Sequence, residues 1–180
     1  AFVQLHFPER SYDKDAEIAR KGTVNPDLLQ ALKNNPFFEA PFPKSTGPEL
    51  FNLEYVQKAI TESQTEQLST EDVLATLTRF SAETAAEAII FAIQQAGTMT
   101  ADFTVYVSGG GMHNPLLMDY LKELVPCSFK NTDEIGISGD AKEAILFAVL
   151  ANETVAGGAT DFGTNNGIPS VTMGKISFPD

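Results

Sequence analysis

The residues best spaced for ligand chemistry are three consecutive glycines in the stretch VSGGGMHNPLLM, at Gly109, Gly110 and Gly111. Before them, the apolar run Phe103–Val107 has the β-branched and aromatic composition of a strand. After them, Asn114 can cap a helix, and Pro115 suits its first turn. A turn of bare backbone lets a ligand approach its N–H groups closely, and a tight turn that only needs flexibility has the same composition. The glycines therefore leave two interpretations open.

The elements around this turn help to decide between them. A second, shorter strand is predicted at Cys127–Lys130, and a helix from Ala141 to about Ala156. The order strand, helix, strand, helix is typical of parallel strands joined by crossover helices. Ligands of such sheets bind beyond the carboxyl ends of the strands, which is where the glycines lie. The order of elements favours a ligand site.

The first third of the chain is predicted to be short helices and packed loops. The stretch Ser11–Gly22 indicates an acidic turn and a short helix that stops at Gly22, and a second helix begins after the cap Asn25. Another helix is predicted from about Leu53 to Ser63. The stretch Asn34–Asn52 is rich in proline and phenylalanine, which predicts an ordered, packed loop.

A long helix is predicted next, capped by Ser69 or Thr70 and ended by Gly97. Its many alanines indicate close packing against a sheet or another helix. The tail from Gly157 is glycine-rich and is predicted to be mostly irregular. The predicted buried stripe of the long helix consists of Val73, Leu74, Leu77, Phe80, Ala85, Ala88, Ile89 and Ala92.

Composition excludes several classes of function. The 180 residues carry a formal net charge of -12, which argues against a nucleic-acid or anionic-membrane surface. No apolar run reaches the roughly 20 residues of a membrane helix. A single cysteine, Cys127, suits a reducing compartment, so we expect a cytoplasmic protein. His6 and His113 are far apart and no ligand spacing is present, which predicts no metal site within the chain.

Seven motifs occur in one order: YDKD, GTVNPDLLQAL, PFF, PKSTG, LFN, SGGGMHNPLLM and GISGDAKEAILFAVLA. Together they resemble the C-terminal half of anhydro-N-acetylmuramic acid kinase and its relative levoglucosan kinase, over nearly the whole chain. These enzymes belong to the superfamily of sugar kinases, actin and heat-shock chaperone ATPases. The resemblance implies an α/β fold: the C-terminal lobe of an actin-like (ribonuclease H-like) sugar kinase, helix-rich, with part of the sheet missing from this chain.

The same resemblance implies an activity and its cofactors. The expected reaction is ATP-dependent phosphorylation of a 1,6-anhydro sugar, in which water opens the anhydro ring while its hydroxyl takes the phosphoryl group. ATP and Mg²⁺ are the implied cofactors. The sequence does not distinguish anhydro-N-acetylmuramic acid from levoglucosan or another anhydro sugar.

Site roles follow from the resemblance residue by residue. The three glycines match the family's adenosine-side loop, where ribose and α-phosphate would lie against the turn. Asn114 aligns with the motif's asparagine, with helix capping as its main expected role. Glu143 matches a glutamate near the sugar, although Asp140 and Glu143 also have capping-box spacing. The acidic turn with Asp13 and Asp15 is expected to support the fold rather than bind metal.

The chain departs from the family pattern in several places. Ala16 stands where the family usually has glycine, and Pro48 where it usually has arginine, which bears on the local loop geometry. The phosphate loop and the segment with the expected general base are absent, so the base is expected upstream of Ala1 and no catalytic residue is assigned here. PKSTG is not a phosphate loop, because it lacks the required glycines. An isolated C-terminal half is therefore expected to be inactive.

This organisation implies partners within and beyond the chain. Residues 1–66 are expected to form a helical and loop region on the substrate side, and residues 67–180 the nucleotide-side α/β lobe. The expected partners are ATP, a 1,6-anhydro sugar, the N-terminal half of the same enzyme and, in a homodimer, a second copy. Two alternatives remain: a non-catalytic nucleotide-binding or protein-interaction module derived from this lobe, and a structural α/β domain without a ligand.

Overall fold

The computed structural model describes residues 1–97 and 99–157 of the chain. Contacts group the chain into two units. The larger unit consists of Ala1–Val105 and Gly110–Lys130, and the smaller unit of Tyr106–Gly109 and Asn131–Asp180, described as far as Gly157. The expected boundary between residues 66 and 67 stays a prediction. The predicted irregular tail, residues 158–180, lies outside the described residues.

Helices dominate the described residues. The predicted helices after Asn25 and from Leu53 are confirmed, but the stretch Ser11–Gly22 forms two short 3₁₀ turns, Lys14–Ala16 and Ala19–Lys21, rather than a helix. The helices are α1 (Phe2–His6), α2 (Pro26–Lys33), α3 (Pro36–Glu39), α4 (Leu53–Glu62), α5 (Thr70–Gln95), α6 (Pro115–Leu124) and α7 (Lys142–Ala156).

Polar side chains begin these helices where the sequence predicts. Asn25 accepts a hydrogen bond from the Leu28 N–H at 2.9 Å and so caps α2. Of the two residues predicted to cap α5, Ser69 is the cap, because its Oγ accepts from the Asp72 N–H at 3.1 Å. Each such bond satisfies one of the N–H groups that a helix start leaves unpaired, at about 1 kcal/mol.

The core of the larger unit is organised around α5. One buried cluster joins α5 to α2 and α4 through residues such as Leu28, Leu32 and Phe80. Another joins the second half of α5 to α6 through Ala86 and Leu121. Because α5 contacts neighbours on different sides, its buried residues do not form one stripe.

This arrangement corrects the predicted stripe. Val73, Leu74 and Phe80 are buried as predicted, but Ala92 is exposed. Leu77, Ala85, Ala88 and Ile89 are only partly buried. Small residues allow the backbones of α5 and α6 to approach closely. The buried residues of α5 that the periodicity missed are Ala75, Thr76, Ala82, Ala86 and Ile93.

Backbone contact fixes the start of α5 against the preceding loop. A Cβ atom at Gly22 would lie 2.1 Å from the carbonyl oxygen of Glu71, so only glycine fits there. Beside it, the Thr23 N–H donates to Asp72 Oδ1 at 2.7 Å, and the Asn25 N–H donates to the Oγ1 of buried Thr76 at 2.9 Å. These contacts explain why glycine occupies position 22, where the 3₁₀ turn Ala19–Lys21 ends.

The described strands form a two-stranded parallel sheet, in which β1 (Thr104–Val107) pairs with β2 (Ser128–Asn131). Both predicted strands are confirmed within a residue, and α6 is the crossover between them. The helix-rich α/β class is confirmed, and two described strands agree with a sheet that is partly missing from this chain. A sheet of four strands built from this chain would have refuted that expectation, and the described residues do not form one.

The proline-rich loop is packed, as predicted. Its aromatic side chains meet edge to face, with the ring centroids of Phe37 and Phe38 5.4 Å apart and those of Phe38 and Phe80 5.6 Å apart. The ammonium group of Lys44 donates to the carbonyl oxygens of Phe37 and Phe38 at 3.0 and 2.7 Å. The lysine of PKSTG thus binds carbonyl oxygens of α3. This contact gives the lysine a structural role in a motif that is not a phosphate loop.

We predict that the link between Thr23 and Asp72 makes stability depend on pH. The hydrogen bond from the Thr23 N–H, with help from Ser69, lowers the pKa of the Asp72 carboxyl. A lowered pKa contributes stability above the unfolded-state value of about 3.9, and the contribution is lost as pH falls through the folded-state pKa. Asp72→Asn should therefore destabilise the protein at pH 7 and cost progressively less below pH about 4.

The measurement is urea unfolding of both proteins from pH 7 to pH 3. Asp27→Asn is the control, because Asp27 lies in the first turn of α2 as Asp72 lies in that of α5. A cost of Asp72→Asn that stays constant with pH would contradict the prediction.

Candidate functional site

The glycine turn borders a cavity of about 490 Å³ within the larger unit. Its volume lies in the range typical of small-molecule sites, roughly 300–1,000 Å³. The cavity lies between the acidic turn near the N-terminus, one face of α5 and the start of α6. Its lining consists of Tyr12, Asp13, Lys14, Asp15, Leu74, Thr78, Gly110, Gly111, His113, Asn114 and Leu117.

Gly110 presents bare backbone to open space. It begins a 3₁₀ turn, Gly110–His113, that leads into α6. A Cβ atom built on Gly110 would meet no atom within 4 Å, and the backbone there does not have a positive φ. Within the described residues, neither packing nor backbone conformation requires glycine at this position. A ligand that lies against the backbone gives a reason for it.

The other two glycines differ from Gly110. A Cβ atom on Gly111 would lie 3.6 Å from Leu117, which is an ordinary contact. Gly109 belongs to the smaller unit, where its φ of +80° is a conformation that favours glycine. Its N–H donates to the carbonyl oxygen of Gly139 at 3.0 Å. The interpretation as a turn that only needs flexibility thus fits Gly109, and a ligand contact for Gly110 stays a prediction.

Asn114 caps α6, as expected. Its side chain accepts a hydrogen bond from the Leu117 N–H at 3.0 Å, and Pro115 occupies the first turn. The cap satisfies one of the N–H groups that a helix start leaves unpaired. Asn114 therefore supports the turn, and direct contact with a nucleotide stays a prediction.

The acidic turn is the part of this cavity that the sequence reasoning assigned only to the fold. Asp13 does support the fold, because its two carboxylate oxygens accept from the N–H groups of Ile18 and Ala19, both at 2.9 Å. Asp15 and Ala16 both have left-handed backbone, with φ of 55° and 56°. The carboxylate of Asp13 thus closes a strained loop whose residues line the cavity.

The start of α6 packs onto this loop. Leu116 contacts the buried cluster that contains Ala16, Ile18 and Ala19, and Arg20 pairs with Asp119 at 3.2 Å. Tertiary packing therefore brings residues about a hundred positions apart to one cavity. No local sequence signal marks this proximity.

Glu143 lies in the smaller unit, on the exposed first turn of α7. The helix begins at Lys142 with Ala141 as its N-cap, and no side chain makes a cap hydrogen bond there. The capping-box interpretation of Asp140 and Glu143 is therefore wrong. The Ala141 N–H instead donates to the Ser138 hydroxyl oxygen at 3.3 Å. A sugar contact for Glu143 stays a prediction.

A second cavity in the larger unit, of about 500 Å³, was not predicted. Four phenylalanines of the packed loop line part of its wall, and the ammonium nitrogen of Lys44 lies 4.8–5.9 Å from the ring centroids of Phe37, Phe38 and Phe42. The only sequence feature that could have indicated this cavity is the phenylalanine-rich composition of the loop. That composition is equally compatible with a closed, packed loop and with an open aromatic cavity.

Among residues 1–97 and 99–157, no three His, Cys, Asp or Glu side chains are grouped closely enough to hold a metal ion. In the same residues, no helix is both long and apolar enough to cross a membrane.

Comparison with known proteins identifies relatives of the whole chain. A sequence profile for anhydro-N-acetylmuramic acid kinase matches residues 1–177. The kinase of that name from Pseudoalteromonas atlantica is 51% identical over 183 residues, covering 100% of this chain and 45% of the relative. Its counterpart from Pseudoalteromonas translucida is 48% identical with the same coverage. The one from Streptomyces avermitilis is 41% identical, covering 92% of this chain and 41% of the relative.

These relatives first define a class, that of phosphotransferases with an alcohol group as acceptor. Within that class, the chain belongs to the anhydro-N-acetylmuramic acid kinase family. The resemblance inferred from the seven motifs is thereby confirmed. The chain spans 45% of the length of its two Pseudoalteromonas relatives, in agreement with a C-terminal part of the family's chain.

We predict that the left-handed backbone at Ala16 cancels the usual cost of removing a buried methyl group. Ala16 and Ala19 are both buried, at 0% and 2% exposure, but only Ala16 has a positive φ. Ala19→Gly should cost about 1–1.5 kcal/mol through lost burial and a more flexible unfolded chain. Ala16→Gly should change stability by less than about 0.5 kcal/mol, because relief of the left-handed strain offsets both terms.

The measurement is the free energy of unfolding in urea for both variants. Equal costs for Ala16→Gly and Ala19→Gly would show that the loop is not strained at Ala16.

Proposed function

We propose that this chain is the C-terminal part of an ATP-dependent kinase for a 1,6-anhydro sugar, with anhydro-N-acetylmuramic acid as the first substrate to test. The observation that carries the proposal is the family match over residues 1–177. Kinases in general use ATP, and the relatives are named for this sugar. We propose the cytoplasm as its location, in keeping with a chain that has a single cysteine.

The proposed nucleotide site is the cavity beside Gly110 and Gly111. The bare backbone of Gly110 would let the ribose and α-phosphate lie against the turn. The start of α6 adds N–H groups and a positive potential that favour a phosphate. Leu74 and Leu117 supply apolar walls, which exclude water from one side of the cavity.

The proposed reaction couples ring opening to phosphorylation. Water adds to the anhydro carbon, the bond from that carbon to the bridging oxygen breaks, and this oxygen attacks the γ-phosphorus of ATP while ADP leaves. A base outside this chain takes the proton of the water. Phosphoryl transfer needs positioned charge more than covalent chemistry, and Mg²⁺ would supply part of that charge from ligands mostly outside this chain.

The residues of this chain then act by positioning. The glycine turn would hold the adenosine side of the nucleotide, Asn114 would keep the turn and α6 in place, and Glu143 would contact the sugar. For this chain we propose the C-terminal lobe of an actin-like sugar kinase, and the order strand, helix, strand, helix supports it because that order is typical of an α/β sheet with crossover helices.

The test uses a full-length hybrid, in which this chain replaces the matched region of the Pseudoalteromonas atlantica relative. We expect the hybrid to phosphorylate anhydro-N-acetylmuramic acid with ATP, and levoglucosan less well or not at all. Nucleotide binding without phosphorylation would favour the non-catalytic module. A folded hybrid that binds no adenine nucleotide would overturn both and favour a structural domain.

Gly110→Val in the hybrid should raise the KM for ATP at least ten-fold, because a branched side chain would occupy the space where the backbone meets the nucleotide. The fold should be unaffected, since nothing in the described residues lies within 4 Å of a Cβ atom there. Gly109→Ala is the matched contrast: at a φ of +80° it should cost about 1–2 kcal/mol of stability. Unchanged ATP kinetics in folded Gly110→Val would remove the turn from the nucleotide site.

Glu143→Gln in the hybrid should lower kcat/KM for the sugar ten-fold or more, about 1.4 kcal/mol of transition-state stabilisation. Stability should change little, because Glu143 makes no cap hydrogen bond. Glu153→Gln, on the same helix, is the control. Normal sugar kinetics in the Glu143 variant would leave this glutamate a solvent-exposed residue of α7.

A further inference from the structure

The smaller unit has no hydrophobic core among its described residues. The three buried apolar clusters all lie in the larger unit. In the smaller unit, Thr132 and Gly139 are the only described residues that are buried. Yet eight of the fourteen exposed large hydrophobic side chains of the described chain belong to it. Apolar area of this kind is normally removed from water.

Helix α7 carries most of this area and presents it on all sides. Ile145, Leu146, Phe147 and Val149 are between 47% and 67% exposed. Successive residues of an α-helix are rotated by roughly 100°, so these neighbours point in different directions around the axis. Between Glu143 and Glu153 the helix has no charged residue. A helix that is apolar all round is typical of a protein interior.

The sheet next to α7 in the chain also lacks partners. Strand β1 pairs with β2, and the described residues supply no third strand. A two-stranded sheet is marginally stable in water, and an open edge leaves a row of unpaired N–H and C=O groups. Both features require more polypeptide than the described residues provide.

The relatives indicate where that polypeptide comes from. The two Pseudoalteromonas kinases match this chain from end to end and yet are more than twice its length, since the chain covers 45% of each. A family chain therefore contains a large segment that has no counterpart here. That segment is long enough to supply partner strands for the sheet and an apolar layer that covers α7.

We propose that α7 is an interface helix: in the full-length protein, the segment of the family chain outside the matched region packs on α7 and buries Phe147 and its apolar neighbours. This inference uses the family match and not the proposed kinase activity. It assigns α7 a role in joining the parts of the protein, beyond the sugar contact proposed for its first turn.

The test is hydrogen exchange of the α7 amides in the 180-residue chain and in the full-length hybrid, both without nucleotide or sugar. We expect exchange at Ile145–Val149 to be at least a hundred-fold slower in the hybrid. Equal exchange rates in the two proteins would overturn the proposal. Protection already present in the 180-residue chain would assign the cover to the chain itself, if independent of concentration, or to a second copy, if it rises with concentration, and either result would overturn it.

A pair of variants identifies the surface. Phe147→Asp in the hybrid should speed proteolysis within α7 at least ten-fold, whereas Leu5→Asp should change it less than two-fold. Leu5 is the matched control because it is 65% exposed, against 67% for Phe147, and lies on α1 in the larger unit. Equal effects of the two variants would refute the assignment. Phe147→Ser is the milder variant if the aspartate prevents folding. Neither hydrogen exchange nor proteolysis measures catalysis. A hybrid that is inactive but has a protected α7 would therefore contradict the proposed kinase function and leave the α7 proposal intact.

Discussion

The larger unit depends on the burial of one 26-residue helix from several directions. The first turns of α5 pack against α2 and α4, and its later turns pack against α6. Leu74 of α5 also packs against the loop that follows the acidic turn, and α6 follows the glycine turn, so α5 helps to position both turns. The contact that fixes its start is backbone against backbone, at Gly22 and Glu71. Helix α5 therefore serves as the common reference for both walls of the cavity beside Gly110.

Ion pairs link α5 to its neighbours beside these apolar contacts. Arg79 of α5 pairs with Glu83 at 2.9 Å and with Glu123 of α6 at 3.2 Å, and Lys33 of α2 pairs with Glu83 at 2.9 Å. Burial alone would raise the pKa of the Glu83 carboxyl, but the hydrogen bonds from Lys33 and Arg79 lower it below its usual value. Glu83 thus joins α5 to α2 through Lys33, and its partner Arg79 joins α5 to α6 through Glu123.

Local features of the fold could be read from the sequence, and long-range ones could not. Caps depend on neighbouring residues only: Asn25 and Asn114 were predicted correctly, and Ser69 was one of the two residues predicted to cap α5. The proximity of Asp13 to Gly110 depends on how α6 packs on a loop a hundred residues earlier, so no spacing reveals it. The capping box at Glu143 failed because α7 begins after Ala141, one residue later than the pattern assumed.

The loop that Asp13 closes restricts which residues evolution can place in it. Two successive left-handed residues, Asp15 and Ala16, admit glycine, asparagine and aspartate readily and exclude β-branched side chains by steric clash. Ala16 is fully buried, so asparagine and aspartate, which the backbone conformation alone would admit, are too large at that position. Substitutions at these two positions are therefore limited by the left-handed backbone and by the available volume. Whether a substituted residue is polar or apolar would be a misleading guide to whether it is tolerated.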